Sequence, residues 1–343
     1  MKKSLPIISV CVVAYNEEEF VEDLLDDILV QTYPRRLTEL IFVDSLSTDG
    51  TMEIFKNFRD RYSESFYDVK VLENPGKRLA AGWNEVIGVF SGEILVRVDA
   101  HARLSGSFVE ETVRCQQSGE YVCGGRRPNI IVGNDPMSST LLMAEQSMFG
   151  SSFATYRSGE KRCYVKSVFH AAYRREVIEK VGPFNAALGR TEDNEYNYRV
   201  QKAGYKICFE PRILSYQHTR PRLSKMIKQK YGNGYWIART LFVCPGCISL
   251  FHLVPFAFVC AAVLTAVMAG FGWWWFAAAM WALYFAFAVA NTVISVKKKG
   301  DFQKKFLLLP LLFLLLHLSY GAGSVVGFFS LIFKPIGRCR NEK

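Results

Sequence analysis

The chain has 343 residues, half of them hydrophobic, with 42 Lys plus Arg against 32 Asp plus Glu and a formal net charge of +10. That hydrophobic content excludes a disordered chain and allows one large domain or two. Residues 1–219 hold 27 basic and 30 acidic side chains, so the positive charge lies elsewhere: in Arg220, Arg222, Lys225, Lys228, Lys230 and Arg239, in 297–305, and in 334–343. Each basic stretch flanks an apolar segment, which predicts an anionic membrane lipid surface as partner and no nucleic acid.

In chain order, Ile7–Ala14 is a β-branched, apolar run suited to a strand buried on both faces of a parallel sheet. Phe20, Leu24, Leu25, Ile28 and Leu29 recur at helical spacing behind Glu17-Glu18-Glu19. Leu40–Val43 reads as a second strand ending in Asp44, and Ser47-Thr48-Asp49-Gly50-Thr51 supplies turn and cap residues for a helix from Met52 to about Phe58. Val69–Leu72 is a third strand, Leu79–Phe90 a helix, and Ile94–Val98 a fourth strand ending at Asp99. Acids at the carboxyl ends of alternating strands predict a ligand at that edge. Farther on, Val122–Gly125 and Lys206–Phe209 read as strands, and Ser138–Phe149, Arg174–Val181 and Asn194–Ala203 as helices, the last preceded by Glu192-Asp193. Over 221–240, Leu223, Met226, Ile227, Lys230 and Tyr231 share one stripe, predicting a basic amphipathic helix lying in the membrane surface.

From Thr240 to Val296 no residue is charged, and Phe306–Phe333 is a second uncharged run. A bilayer-spanning helix needs about 20 apolar residues. The longer run fits two helices, about 248–270 and 273–296, turning at Gly270-Phe271-Gly272 with Trp273, Trp274 and Trp275 at the headgroup level. Lys297, Lys298, Lys299, Lys304 and Lys305 follow, and the positive-inside rule makes their side, and with it the N-terminal domain, cytoplasmic. A single crossing by 306–333 would leave Lys334, Arg338, Arg340 and Lys343 outside, against that rule. We read one spanning helix there, with a re-entrant hairpin as the alternative, since Pro310, His317, Gly321, Gly323 and Gly327 interrupt it. For His317 the reading is a hydrogen bond to a neighbouring helix. Lys2 and Lys3 precede no secretory signal, and the nine cysteines read as free thiols rather than a disulfide framework.

Four pieces stand at an informative order and spacing: Val13-Ala14-Tyr15-Asn16-Glu17; Val43-Asp44 with the Ser47–Thr51 turn; Val98-Asp99-Ala100-His101; and Thr191-Glu192-Asp193. Together they resemble the family 2 inverting glycosyltransferases of GT-A fold, over about residues 5–240. Within that family the chain is similar to membrane-attached succinoglycan-type exopolysaccharide glucosyltransferases, because Asp-Ala-His replaces Asp-x-Asp and Phe169-His170-Ala171-Ala172-Tyr173-Arg174-Arg175 precedes the acidic pair. The resemblance implies an α/β fold: a cytoplasmic GT-A domain at 1–219 with a mostly parallel sheet between helices, a membrane-surface segment at 220–246, and a small transmembrane domain at 247–343 with two to three helices.

It further implies that Ala14, Tyr15, Asn16 and Glu17 line a nucleotide pocket and that Asp44 accepts a hydrogen bond from uracil N3. Ser45 stands where the family has a second acid. Lys77 and Arg78, in the turn running into the helix that carries Asn84, would lie beside the diphosphate. Asp99, Ala100 and His101 would meet nucleotide and metal, with His218 a further ligand. Asp99 and His101, two apart on an extended strand end, can both reach one ion, and a carboxylate with an imidazole suits Mn²⁺ or Mg²⁺. Asp193 would be the general base of an inverting transfer, with Glu192 holding geometry.

The region Gln229-Lys230-Tyr231-Gly232-Asn233-Gly234-Tyr235-Trp236 lacks the Gln-x-x-Arg-Trp motif of processive members. The implied activity is therefore one sugar added from a UDP-sugar, UDP-glucose foremost, to a polyprenyl-diphosphate-linked saccharide at an inner (plasma) membrane. A polyprenyl-monophosphate sugar transferase and a processive polysaccharide synthase are the alternatives.

Overall fold

A computed structural model describes residues 4–130, 136–150, 159–218, 222–300, 302–334 and 336. The strands are β1 Ile8–Ala14, β2 Thr38–Asp44, β3 Asp68–Glu73, β4 Ile94–Asp99, β5 Ala102–Leu104, β6 Val122–Arg126, β7 Asn129–Ile130, β8 Cys163–Val165, β9 Phe169–Arg174 and β10 Ile207–His218. The α-helices are α1 Glu18–Leu29, α2 Thr51–Tyr62, α3 Leu79–Val89, α4 Phe108–Gln117, α5 Pro136–Gln146, α6 Arg175–Val181, α7 Glu192–Lys202, α8 Leu223–Val243, α9 Val254–Gly270, α10 Trp274–Lys299 and α11 Leu309–Phe333. They form two units, one of residues 1–128 with 154–218, the other of 129–153 with 219–343.

The first unit is built on a sheet of order β3-β2-β1-β4-β9-β6-β10-β5. β1 pairs in parallel with both β2 and β4, which puts Ala14 opposite Asp44 and Val13 opposite Asp99. The expected strand-helix alternation thus sets both acids at one sheet edge, on either side of the loop after β1. Every residue of β1 and β2 is buried, as the unbroken apolar run requires. Val10, Val12, Leu40 and Phe42 belong to a core shared with α1, α2 and α4, while Cys11, Val13, Ile41 and Val43 belong to one shared with α3, α6 and α7. The sheet is more mixed than the sequence suggests: β9 runs antiparallel to both β4 and β6, and β5 antiparallel to β10. Lys206–Phe209 proves to be the start of a twelve-residue strand, kept on the sheet by a bulge between Glu210 and Leu214.

Among the described residues, three helices of the second unit are long and apolar enough to cross a membrane: Leu250–Gly270, Trp274–Lys299 and Lys304–Phe333. The turn at Phe271-Gly272, with Gly272 at φ +91°, joins the first two. The third run is one continuous helix, α11, so the re-entrant hairpin is not formed; Pro310 sits in its first turn, where no backbone N–H is missed. Its glycines serve close approach, because a Cβ at Gly323 or Gly327 would strike the main chain of Tyr231 or Tyr235 on α8. The expectation that the 221–240 stripe faces lipid needs correction: Met226 and Lys230 are buried within this unit, and Arg222, Lys225 and Lys228 are exposed. His317 meets its expectation, with Nδ1 3.0 Å from Tyr284 Oη and Nε2 2.7 Å from the Phe149 carbonyl.

Candidate active site

The carboxyl edge of β2, β1 and β4 gathers most of the anticipated residues. After β1 the chain turns at Asn16, whose positive φ of 54° is tolerable because its main chain and side chain are both tied down: backbone Asn16 N donates to Ser47 Oγ at 2.9 Å, and Thr48 N donates to Asn16 Oδ1 at 2.8 Å. Glu17 N donates to Thr51 Oγ1 at 2.9 Å, so the loops after β1 and β2 are laced into one wall. Tyr15 stands out from it, 55% exposed. Beside it Asp44 is buried; Oδ2 accepts from Ser47 N at 2.9 Å, and Oδ1 is buried with no partner among the described residues. A buried carboxylate oxygen without a donor is costly and points to a ligand N–H. Ser45, in the place of the absent second acid, accepts from Asn74 Nδ2 at 2.9 Å.

At the end of β4 the strand does not continue through the motif: Ala100 and His101 form a turn, so alternation along an extended chain does not align Asp99 with His101. The neighbourhood joins them all the same. Burial would raise the Asp99 carboxyl, but His170, His101 and Arg127 together hold it well below the usual carboxylate range. His170 on β9 lies with Nε2 3.6 Å from Asp99 Oδ2 and Nδ1 2.8 Å from Ser215 Oγ. Burial holds its pKa below the ordinary value, against the pull of Asp99. His101 has both ring nitrogens occupied, Nδ1 3.1 Å from Glu17 Oε1 and Nε2 3.1 Å from Gln217 Nε2. His218 is the converse: its ring stacks on Phe20 at 5.4 Å, and both nitrogens are buried without a hydrogen-bond partner among the described residues. Burial lowers its pKa, which favours the neutral, ligating form.

The acidic pair lies in the first turn of α7 rather than ahead of it, behind Thr191 at φ +68°. Glu192 is 5% exposed, and burial first, then the Asp193 charge, push it up to about 7 against the opposing influence of Arg97. Arg97 Nη2 stands 3.4 Å from Glu192 Oε1, and its guanidinium lies 4.5 Å from the Trp83 ring and 4.9 Å from that of Phe184. Asp193 is half-buried, with Oδ1 accepting from Asn194 N at 2.8 Å. Arg97 also feels the charges of Asp193 and Asp99, so both acidic groups share one electrostatic neighbourhood.

Two anticipated residues do something else here. Asn84 spends both polar atoms on Phe184, donating to its carbonyl at 2.9 Å and accepting from its N–H at 2.7 Å. Arg78 Nη1 donates to the carbonyls of Ala186, at 3.2 Å, and Ala187, at 2.9 Å. Both therefore pin the segment leading to Glu192, while Lys77, at φ +56°, is left exposed at the turn. Sequence reasoning missed Arg97 and His170 as site residues; an Arg inside an apolar strand, two residues before Asp99, was the available signal for the first.

The glycosyl transferase family 2 model matches residues 9–182, just over half of the chain. The chain is 24% identical over 321 residues, 92% of its length and 95% of the other's, to a Methanococcus voltae protein named dolichyl N-acetyl-alpha-D-glucosaminyl phosphate 3-beta-D-2,3-diacetamido-2,3-dideoxy-beta-D-glucuronosyltransferase. To the succinoglycan biosynthesis protein ExoA of Rhizobium meliloti it is 24% identical over 248 residues, 71% of this chain and 72% of that one. Among solved structures it is similar to the mannosyltransferase PcManGT from Pyrobaculum calidifontis in complex with GDP-Man and Mn²⁺, with TM-score 0.62 and 19% identity, over 94% of this chain and 88% of that one. At that identity the likeness establishes the GT-A-type fold.

Proposed function

We propose, since this chain belongs to glycosyl transferase family 2, that it moves one sugar from a UDP-sugar to a hydroxyl of a lipid-linked saccharide, with inversion at the anomeric carbon. The observation that carries the reading is the pairing, around Arg97, of an ionised strand-end carboxylate, Asp99, with the two acids that open α7. A transfer of this kind needs a place for the leaving diphosphate and a base on the acceptor's side of the anomeric carbon.

Each residue then has a task. The unpartnered Oδ1 of Asp44 accepts the N3–H of uracil, within the wall formed by Ala14, Tyr15, Asn16 and Glu17. Lys77 faces the diphosphate. Asp193 takes the acceptor hydroxyl's proton, because it is the half-exposed member of the pair, while Glu192 is buried against Arg97 at 3.4 Å. Asn84 and Arg78 hold the 184–187 segment in place and do not touch the donor.

A divalent cation fits part of the expected set. The Asp99 carboxylate suits Mn²⁺ or Mg²⁺, and His101, whose charge bears on Asp99, would join by giving up Gln217; the unpartnered imidazole of His218 has the right chemistry but lies against Phe20 and near the charges of Asp23 and Glu19. Among the described residues no three His, Cys, Asp or Glu side chains converge as a complete site. When bound, the ion neutralises charge developing on the departing nucleotide.

The name of the Methanococcus voltae relative, with its dolichyl-phosphate-linked substrate, supports a lipid-linked acceptor, and the apolar helices support presentation of it at a membrane. The test is a donor screen on detergent-purified protein, scored by UDP release with and without a polyprenyl-diphosphate disaccharide. Acceptor-stimulated release with one UDP-sugar supports the proposal, and equal release without acceptor, or release from no UDP-sugar, rejects it.

A further inference from the structure

Hydropathy marks α11 as a third membrane span, but the way it meets its neighbours is at odds with a crossing. His317 packs on Phe258, Gly321 abuts Pro255 and Val259, and Phe328 packs on Phe256 at 4.9 Å. Twelve residues of α11, spanning about 16 Å, thus lie against 255–259, about 6 Å of α9. Two helices can meet so only if their axes cross steeply. Were α11 to climb beside the α9–α10 hairpin, Phe328 would stand some three turns above Phe258, near the Trp273–Phe276 end, instead of at the foot of α9.

The partner of α11 along its length is α8, running in the same direction: Tyr231 faces Gly323, Tyr235 faces Gly327, and Arg239 reaches Ser330 Oγ at 2.6 Å and the Lys334 carbonyl at 2.9 Å. A vertical α11 would therefore carry α8 through the bilayer with it. The chain forbids that, because α8, α9 and α10 as three consecutive crossings would place Lys299 on the side opposite the start of α8, while Phe306, against which Lys299 packs at 4.7 Å, precedes the stretch of α11 that runs beside α8 and shares a buried cluster with Met226.

We propose that only the α9–α10 hairpin crosses the membrane, and that α8 and α11 lie side by side along the phospholipid surface at its foot. The exposed face of α11, Leu311, Val326, Phe329, Ile332 and Phe333, sits in the acyl boundary of that leaflet. Exposed Arg222, Lys225 and Lys228 on α8 face its anionic headgroups. With this arrangement the cations at 222–239 and 297–305 and Lys334 all lie on one side of the bilayer, and the conflict with the positive-inside rule disappears. Apolarity then anchors α11 without taking it across.

The test places an epitope tag on the full chain at the N-terminus, after Phe302, or at the C-terminus, and reads antibody and protease access in sealed vesicles before and after permeabilisation. All three tags on one side is the expected result. A C-terminal tag alone on the opposite side means that α11 crosses, and a tag after Phe302 on the side opposite the N-terminus means that α8 crosses; either overturns the proposal. Because a tag in the short loop between α10 and α11 can disturb folding, Phe302→Cys, at a 60% exposed position, in a background whose native cysteines are changed to Ser or Ala and labelled with a membrane-impermeant maleimide, reports the same location with that cysteine-free background as control.

Discussion

Glu192 gives a prediction whose sign follows from its surroundings. Its carboxyl is pushed from the ordinary 4.5 up to about 7, so the folded protein holds a proton there more tightly than the unfolded chain does. The stability that this proton confers is complete below about pH 4.5 and is lost as pH rises through 7, where Glu192 must ionise inside the protein. That rise from 4.5 to about 7, at about 1.4 kcal/mol per tenfold change in proton affinity, corresponds to about 3 kcal/mol, an upper figure because Arg97 at 3.4 Å loses its charged partner in any neutral variant. Glu192→Gln keeps the volume and removes the ionisation. Its melting temperature should match the parent's near pH 5 and exceed it at pH 8.5, by up to about 10 °C at about 2–4 °C per kcal/mol for a domain of this size. Thermal melts of the two purified proteins across that range measure it, with inactivity of the variant irrelevant to the readout. A difference that stays constant with pH, or that favours the parent at high pH, would refute the reasoning and mean that Glu192 is ionised at no cost by Arg97.

The other predictions concern binding and turnover. Asp193→Asn should lower kcat by about 10²–10⁴-fold while the UDP dissociation constant, measured by calorimetry, stays within about twofold; parallel loss of affinity would make Asp193 a donor-site residue. Asp44→Ala removes a buried acceptor worth about 1.5–3 kcal/mol, so UDP should bind about 10- to 100-fold more weakly, and an unchanged constant would show that Oδ1 has another purpose. If Asp99 and His101 hold a divalent ion, excess EDTA should abolish transfer and Mn²⁺ restore it, with His101→Ala raising the Mn²⁺ concentration needed more than His218→Ala does; full activity in EDTA would dismiss the ion. Asn84→Ala breaks two hydrogen bonds to Phe184 and should destabilise the protein by about 1–3 kcal/mol in thermal melts while UDP affinity holds.

What the sequence by itself determined is whatever depends on short-range pattern. The buried runs of β1 and β2, the acids at the ends of β2 and β4, the Ser47–Thr51 turn ahead of α2 and the uncharged stretches after Thr240 are local signals, and each folds as its pattern and length dictate. The helix behind Glu192-Asp193 was legible from its spacing, but its start was not: the pair lies in the first turn rather than ahead of it. What only tertiary structure decided is which side chains meet. His101 seemed free to coordinate until Glu17 and Gln217 were found on its two nitrogens, 84 and 116 residues away. Arg97 had no visible purpose until Trp83, Phe184 and Glu192 closed around it, and Asn84 was indistinguishable from a ligand-binding amide until Phe184 took both its atoms. Hydropathy likewise measures how apolar α11 is but not its direction, because burial against lipid depends on composition, whereas the tilt of a helix is set by the neighbours it packs on, here Pro255, Phe256 and the length of α8.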